Sequence, residues 1–86
     1  MQNPLIELIK ASETLLQNTP TSEHIEEIKG ELEILRSEAR KSRPKKERVK
    51  ITVEELAQAA RNLNEVGKPV LELAMTAIKL INNMPA

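Results

Sequence analysis

The chain has 86 residues, with no Cys and no Phe, Tyr or Trp, and its 13 basic residues balance its 13 acidic residues. This composition excludes disulfide bonds, thiolate metal sites and the aromatic platforms on which single-stranded nucleic acids usually stack. A domain of this size buries a modest fraction of its surface, and aliphatic side chains bury less than aromatic ones, so we expect self-association to complete the core.

The first predicted helix covers about residues 4–18. Pro4 suits the first helical position, because its missing N–H would be unpaired there in any case, and Asn3 suits the cap before it. We expect the helix to stop near Asn18, since Pro20 disfavours helical geometry at the residue before it. Apolar side chains and one Ser recur at helical spacing and form one broad face, made by Leu5, Leu8, Ile9, Ser12, Leu15 and Leu16.

The second predicted helix covers about residues 21–42 and has the most regular pattern in the chain. Several residues within 19–22 suit its N-cap, and Pro44 ends it. Gly30 lies off the apolar seam, so we do not expect it to break the helix. The seam alternates spacings of three and four, as in a coiled coil, through Ile25, Ile28, Leu32, Leu35, Ala39 and Ser42.

The third predicted helix covers about residues 45–66, and its start has two interpretations. Thr52 and Glu55 have the spacing of a capping box, which would begin the helix at Thr52. A seam that starts before this cap instead begins the helix near Lys45, and it consists of Val49, Val53, Leu56, Ala60 and Leu63. We favour the earlier start, although basic residues near a helix N-terminus oppose the macrodipole.

The fourth predicted helix, about residues 69–84, is apolar around most of its circumference. Its one polar stripe consists of Glu72, Thr76, Lys79 and Asn83. Such a helix must be covered on nearly every side. Gly67 and Pro69 lie at the join with the third helix, yet the seam runs on in phase through Val70, Ala74, Ala77 and Ile81. This phase favours a kinked, nearly continuous helix, and a hairpin turn at 67–69 is the alternative.

These elements predict a single all-α domain, a helical hairpin or small bundle of three or four helices, across residues 1–86. Its apolar surface exceeds what one small hairpin conceals, so we expect a homodimer or another homo-oligomer, with a second helical protein as a further partner. The predicted function is a non-enzymatic protein–protein interaction or oligomerisation module. The predicted partner interface consists of Ile25, Ile28, Leu32, Leu35, Leu71, Met75, Ile78 and Ile81. The apolar seam also has an interpretation as internal core, and we expect part of it to be buried inside the chain.

A basic segment follows the second helix. Seven basic residues fall within 40–50, opposed only by Glu47, and they are Arg40, Lys41, Arg43, Lys45, Lys46, Arg48 and Lys50. Clustered cations of this kind can contact phosphates, so the alternative function is a nucleic-acid-binding helical module. No aromatic side chain and no base-reading helix accompany them, which favours a solvated turn.

The sequence indicates no enzyme. Its only imidazole, His24, lies among Glu23, Glu26 and Glu27 on the first turn of a helix, where a solvent-exposed role is the commoner one. Its two Gly are isolated, so there is no phosphate-binding loop, and no Ser lies in a nucleophile motif. We predict no catalytic residue, no cofactor and no metal. We also expect a cytoplasmic protein, because no secretory signal is visible and residues 69–84 are too short and too charged for a membrane span.

One stretch of the chain carries a family resemblance. Residues 33–50 read Glu-Ile-Leu-Arg-Ser-Glu-Ala-Arg-Lys-Ser-Arg-Pro-Lys-Lys-Glu-Arg-Val-Lys, and an apolar, Ala-rich helix follows. Within about residues 31–81, this resembles the C-terminal helical-hairpin tails of bacterial signalling and defence proteins. Those tails combine a Leu-Arg-x-Glu-Ala core, a Pro-containing turn, an Arg-Val-Lys helix start and a hydrophobic final helix. The resemblance implies an adaptor or oligomerising module.

Overall fold

Four α-helices account for most of the chain in a computed structural model that describes residues 4–83. They are α1 (Pro4–Asn18), α2 (Glu23–Arg40), α3 (Lys46–Arg61) and α4 (Lys68–Asn82), and a short 3-10 helix (Asn64–Gly67) precedes α4. The described residues contain no strand, which confirms the predicted all-α class. The predicted Asn3 cap and the predicted end of the fourth helix at Met84 lie outside the described residues.

The four helices form a ring. Each helix packs against the next in sequence, and α1 also packs against α4. The connections between them are four, five and six residues long. Connections this short make neighbouring helices antiparallel, so the architecture is an up-down-up-down four-helix bundle. Arg36 of α2 forms an ion pair with Glu13 of α1 beside the bundle core.

One aliphatic core fills the centre of the bundle, and all four helices contribute to it. The predicted face of α1 is confirmed, with Leu8 and Leu15 buried. Ser12 is buried on the same face, because its hydroxyl donates to the carbonyl oxygen of Leu8 at 2.8 Å. A hydroxyl paired with its own helix lies in an apolar core without an unsatisfied donor.

The N-terminus and most of the seam of α2 agree with the prediction. Ser22 caps the helix by accepting the N–H of Ile25 at 3.4 Å. The seam is buried as far as Leu35, but its predicted continuation through Ala39 and Ser42 is wrong, because both residues are exposed. Glu38 is buried in their place. The helix ends at Arg40. Glu38, its last inward-facing residue, accepts a hydrogen bond from the turn that follows.

The structure decides between the two starts of α3. The helix begins at Lys46, which confirms the start predicted from the seam. Thr52 lies inside the helix and is buried, and its hydroxyl donates to the carbonyl oxygen of Arg48 at 2.7 Å. The capping-box spacing at Thr52 therefore has no capping role.

The join between α3 and α4 corrects the sequence-based preference. The chain turns through residues 62–67, where Asn64 has φ of 58°, and α4 then packs along α3. The predicted kinked, nearly continuous helix is wrong, and the hairpin alternative is right. The seam stays in phase across the turn because both helices face the same core.

Gly67 makes this hairpin tight. It is buried, and a Cβ at this position would lie 2.0 Å from the carbonyl oxygen of Ala60 on α3. Its φ of −86° is open to any residue, so close backbone approach is what requires glycine. The missing side chain of Gly67 is therefore what lets α3 and α4 approach at this join.

The fourth helix turns its small residues inward. Val70, Ala74, Ala77 and Ile81 are buried, and the predicted polar stripe, which includes Glu72 and Lys79, is exposed. Two further side chains of this helix, Met75 and Leu80, also remain exposed. No helix within residues 4–83 has the length and apolar character needed to cross a membrane.

Candidate functional site

The bundle itself uses most of the predicted partner interface. Five of its eight residues are buried inside one copy of the chain, and they are Ile25, Ile28, Leu32, Leu35 and Ile81. Leu71 and Ile78 are half-buried against the same core, and only Met75 is exposed. The five buried residues are therefore core residues of one copy of the chain, and they leave little surface for a partner. Packing of α3 and α1 against α2 covers its seam.

Two cross-helix pairs connect α2 with α3. Midway along α2, the Glu31 carboxyl lies against the Glu55 carboxyl of α3. Near the end of α2, the Glu38 carboxylate lies 3.7 Å from the Arg48 Nε of α3. We call these the acidic pair and the ion pair. Both pairs lie where the two helices meet, so they define the shared surface of α2 and α3.

Two exposed isoleucines lie between these pairs. Ile34 is three residues after Glu31 and four before Glu38, and Ile51 is three residues after Arg48 and four before Glu55. Residues three and four apart share one face of a helix, so both isoleucines lie on the same side as the two pairs and at the same level. Ile34 is 37% exposed and Ile51 is 51% exposed. We call this surface the α2–α3 face.

An acidic cleft forms one end of the α2–α3 face. It has a volume of about 440 Å³ and is lined by Glu26, Glu27, Gly30, Glu31, Glu55, Gln58 and Ala59. Gly30 borders open space in the cleft, since a Cβ there would meet no atom within 4 Å. None of the lining residues is basic. The cleft is therefore a concentration of negative charge without a cation among its walls.

Burial and like charge perturb Glu31 within this cleft. Its burial, its hydrogen bond with Glu55 and the charges of Glu55 and Glu27 together raise the pKa of Glu31 to about 7. When ionised, two facing carboxylates only accept hydrogen bonds, and Oε2 of Glu31 is buried without a donor. A proton on Glu31 supplies that donor, which is why its surroundings favour the protonated form and raise its pKa.

A basic end forms the other limit of the α2–α3 face, and it is built on Glu38. This carboxylate is 2% exposed, and it accepts the Lys41 Nζ at 2.5 Å and the Lys45 backbone N–H at 3.1 Å. The hydrogen bond from Lys41, that from Lys45 and the charges of Lys41 and Arg48 lower the pKa of Glu38, although its burial opposes this. We define the basic end as Lys41, Lys45 and Arg48. Glu38 thus stabilises the turn between α2 and α3 through its contacts with Lys41, Lys45 and Arg48.

The structure places the predicted phosphate contacts around this turn. Arg40, Lys41, Arg43, Lys45 and Arg48 are exposed, and Lys46 and Lys50 are half-buried. Lys41 and Arg48 form ion pairs with the Glu38 carboxylate of the same chain. Sequence reasoning missed Glu38. Its position three residues after Leu35, amid basic neighbours, is the signal that would have identified it.

The remaining chemical candidate is His24 on the first turn of α2. Its Nδ1 lies 3.8 Å from the Glu27 carboxylate, and the ring is half-buried. Within residues 4–83, no group of three or more His, Asp or Glu side chains is placed to hold a metal ion. The arrangement around His24 therefore suggests no specific chemistry.

A second groove lies between the end of α1 and the start of α4. Its volume is about 350 Å³, and its lining is mostly apolar, with Ala11, Thr14, Leu15, Asn18, Thr19, Val66, Pro69 and Val70. No acid, base or imidazole lies among these residues, so the groove lacks the convergent polar groups of a small-molecule site.

Comparison with known proteins identifies no relative of this chain. No protein-family model, curated protein or solved structure matches the chain. The resemblance to bacterial helical-hairpin tails therefore stays a prediction from the sequence. The α2–α3 face, with its apolar centre and two charged ends, is the feature on which a function can be argued.

Proposed function

We propose that this protein is a non-enzymatic interaction module that forms homo-oligomers by packing helix faces together. The observation that carries the proposal is that two exposed isoleucines, Ile34 and Ile51, both lie on the α2–α3 face. Contiguous exposed apolar surface rimmed by polar residues marks protein–protein contact sites. A bacterial, cytoplasmic setting stays a prediction from the sequence.

The size of the molecule supports a contact of this kind. The bundle measures 38 × 22 × 20 Å, so one long side is close to the ~800 Å² per partner that standard interfaces bury. The aliphatic core also lacks aromatic side chains, and small domains of this type often gain stability by association. Both points favour a face of the bundle over a segment at its end.

The α4 surface offers less support for partner binding. Met75 is the exposed member of the predicted α4 interface, while Leu71 and Ile78 are partly occupied by the core. A partner on α4 would therefore meet one exposed apolar side chain among the predicted residues. The internal contacts of Lys41 and Arg48 with Glu38 likewise favour a structural role for the basic segment over phosphate binding.

Absolute mass in solution tests the proposal. We expect the mass from sedimentation or light scattering to rise from 9.7 kDa toward a multiple of that value as the protein is concentrated. The double variant Ile34→Gln/Ile51→Gln should stay at the monomer mass, because it removes the apolar centre. Both side chains are exposed, so circular dichroism should show unchanged helix content.

Met75→Gln is the matched control, since it removes an exposed apolar side chain from another face. It should associate as the wild-type chain does. A wild-type protein that remains monomeric at every concentration would overturn homo-oligomerisation. Association that Met75→Gln abolishes, and that the isoleucine variant keeps, would move the contact surface to α4.

A further inference from the structure

The two charged ends of the α2–α3 face have opposite sign and lie at similar distances from its apolar centre. Along α2, Ile34 is about 4.5 Å from the level of Glu31 and about 6 Å from that of Glu38, at 1.5 Å per residue. Along α3, Ile51 has the same offsets from Arg48 and Glu55. The acidic cleft and the basic end are therefore placed almost symmetrically about the two isoleucines.

We infer that the partner of the α2–α3 face is a second copy of this chain, bound with its helices antiparallel so that each acidic cleft faces the other copy's basic end. This inference rests on the proposed homo-oligomerisation and adds its orientation. The contact is self-complementary, as a two-fold dimer requires. The two-fold axis crosses the helices at the level of Ile34 and Ile51.

Electrostatics selects this orientation over the other two-fold arrangement. An axis parallel to the helices would bring cleft against cleft and basic end against basic end, and like charges across an interface oppose association. An axis that crosses the helices brings Glu55 of one copy to Arg48 of the other. It also brings Glu27 and Glu31 toward Lys41 of the other copy.

The side chains needed for this contact are accessible. Arg48 is 57% exposed and Lys41 is 46% exposed even though both lie beside Glu38. On the acidic side, Glu27 and Glu55 are exposed, while Glu31 lies deeper in the cleft. The cleft has no basic lining residue, so cations from a second copy supply the charge partners that its own walls do not provide.

Paired charge reversal tests the orientation. The first variant, Glu26→Lys/Glu27→Lys/Glu55→Lys, leaves Glu31 as the one acidic residue in the lining of the cleft and makes both ends of the face positive. The second, Lys45→Glu/Arg48→Glu, makes both ends negative. Each variant alone should self-associate at least about tenfold more weakly than the wild-type chain, because like charges then meet across the axis. An equimolar mixture should recover the wild-type mass, since each positive end meets a negative one.

A milder pair keeps the test valid if circular dichroism shows that a reversal unfolds the chain. Glu27→Gln/Glu55→Gln and Lys45→Gln/Arg48→Gln should each weaken association and reduce its salt dependence. Mixing them should restore only part of the wild-type association, because the mixed dimer keeps one of its two charge contacts. Weaker self-association of each reversal variant, with recovery in their mixture, supports the antiparallel contact. If clefts packed against clefts, like charges would already meet in the wild-type dimer, and reversal would not weaken it.

Two outcomes would contradict the orientation and homo-oligomerisation separately. Wild-type association with reversal variants that still self-associate, or with a mixture that stays monomeric, would overturn the orientation and leave homo-oligomerisation intact. A monomeric wild-type chain would instead overturn homo-oligomerisation itself.

Discussion

Two glutamates of α2 have opposite roles that their residue type does not reveal. Glu31 faces another carboxyl across the helix interface, whereas Glu38 faces a backbone N–H and two cations. Folding therefore raises the pKa of one carboxyl and lowers that of the other. Each group stabilises the bundle over a different pH range.

The pH dependence of stability should reveal Glu31. Its pKa rises from the ordinary value of 4.5 to about 7 on folding, so the folded state holds the proton more tightly than the unfolded chain. The resulting stabilisation is complete below pH 4.5 and is lost as the pH rises through 7. The free energy of unfolding, measured by urea denaturation, should therefore fall between these pH values.

Glu31→Gln should flatten that fall, because the amide is neutral at every pH, and this variant should be more stable than the wild-type chain at about pH 8. Glu33→Gln is the control, since it removes an exposed carboxyl from the same helix. If the Glu31→Gln variant keeps the wild-type slope, folding does not raise the pKa of Glu31.

Among the elements, the hairpin between α3 and α4 depends on its glycine, whereas α2 does not depend on Gly30. Gly67 lies against the backbone of α3, and Gly30 lies over open space. The same amino acid thus occurs once for steric reasons and once without a packing role. This difference exists only after the helices have assembled.

Substitution of each glycine by alanine should separate these cases. Gly67→Ala should lower the melting temperature, because the new methyl group would overlap the Ala60 carbonyl and force the helices apart. Gly30→Ala should raise the free energy of unfolding by about 0.5–1 kcal/mol, since alanine restricts the unfolded chain and favours the helix. Thermal unfolding followed by circular dichroism measures both. Equal destabilisation by the two changes would contradict this account.

For the whole molecule, one shared aliphatic core makes stability a collective property. Leu8 of α1 is fully buried among residues of the other helices, although α1 is the helix farthest from α3 in the ring. A cavity at Leu8 should therefore destabilise the entire bundle. With no Trp or Tyr in the chain, unfolding has to be followed through helix content.

Leu8→Ala should cost about 2–5 kcal/mol of unfolding free energy, through lost apolar burial and the cavity that remains. Leu80→Ala is the matched control, because Leu80 is 46% exposed, and its cost should stay within about 0.5 kcal/mol. Urea denaturation of the two variants compares them directly. A small effect at Leu8 would indicate that α1 is not part of the cooperative core.

The sequence by itself determined the helices, their approximate ends and most of the core. Apolar spacing of three and four identifies a buried helix face whichever element covers it, and Pro20 and Pro44 limit the helices through backbone geometry alone. The same spacing cannot say what covers a face. It therefore placed Ile25, Ile28, Leu32, Leu35 and Ile81 at a partner interface, although this chain's own helices bury them.

Only the tertiary structure decided the direction of α4 and the composition of the candidate site. A seam continues in phase through a kink or a hairpin alike, so the turn at 62–67 had no distinct apolar pattern. The α2–α3 face combines residues that are far apart in sequence, such as Glu31 with Glu55 and Ile34 with Ile51. Charge and apolar surface become a site only when two helices bring them together, and that depends on three-dimensional packing.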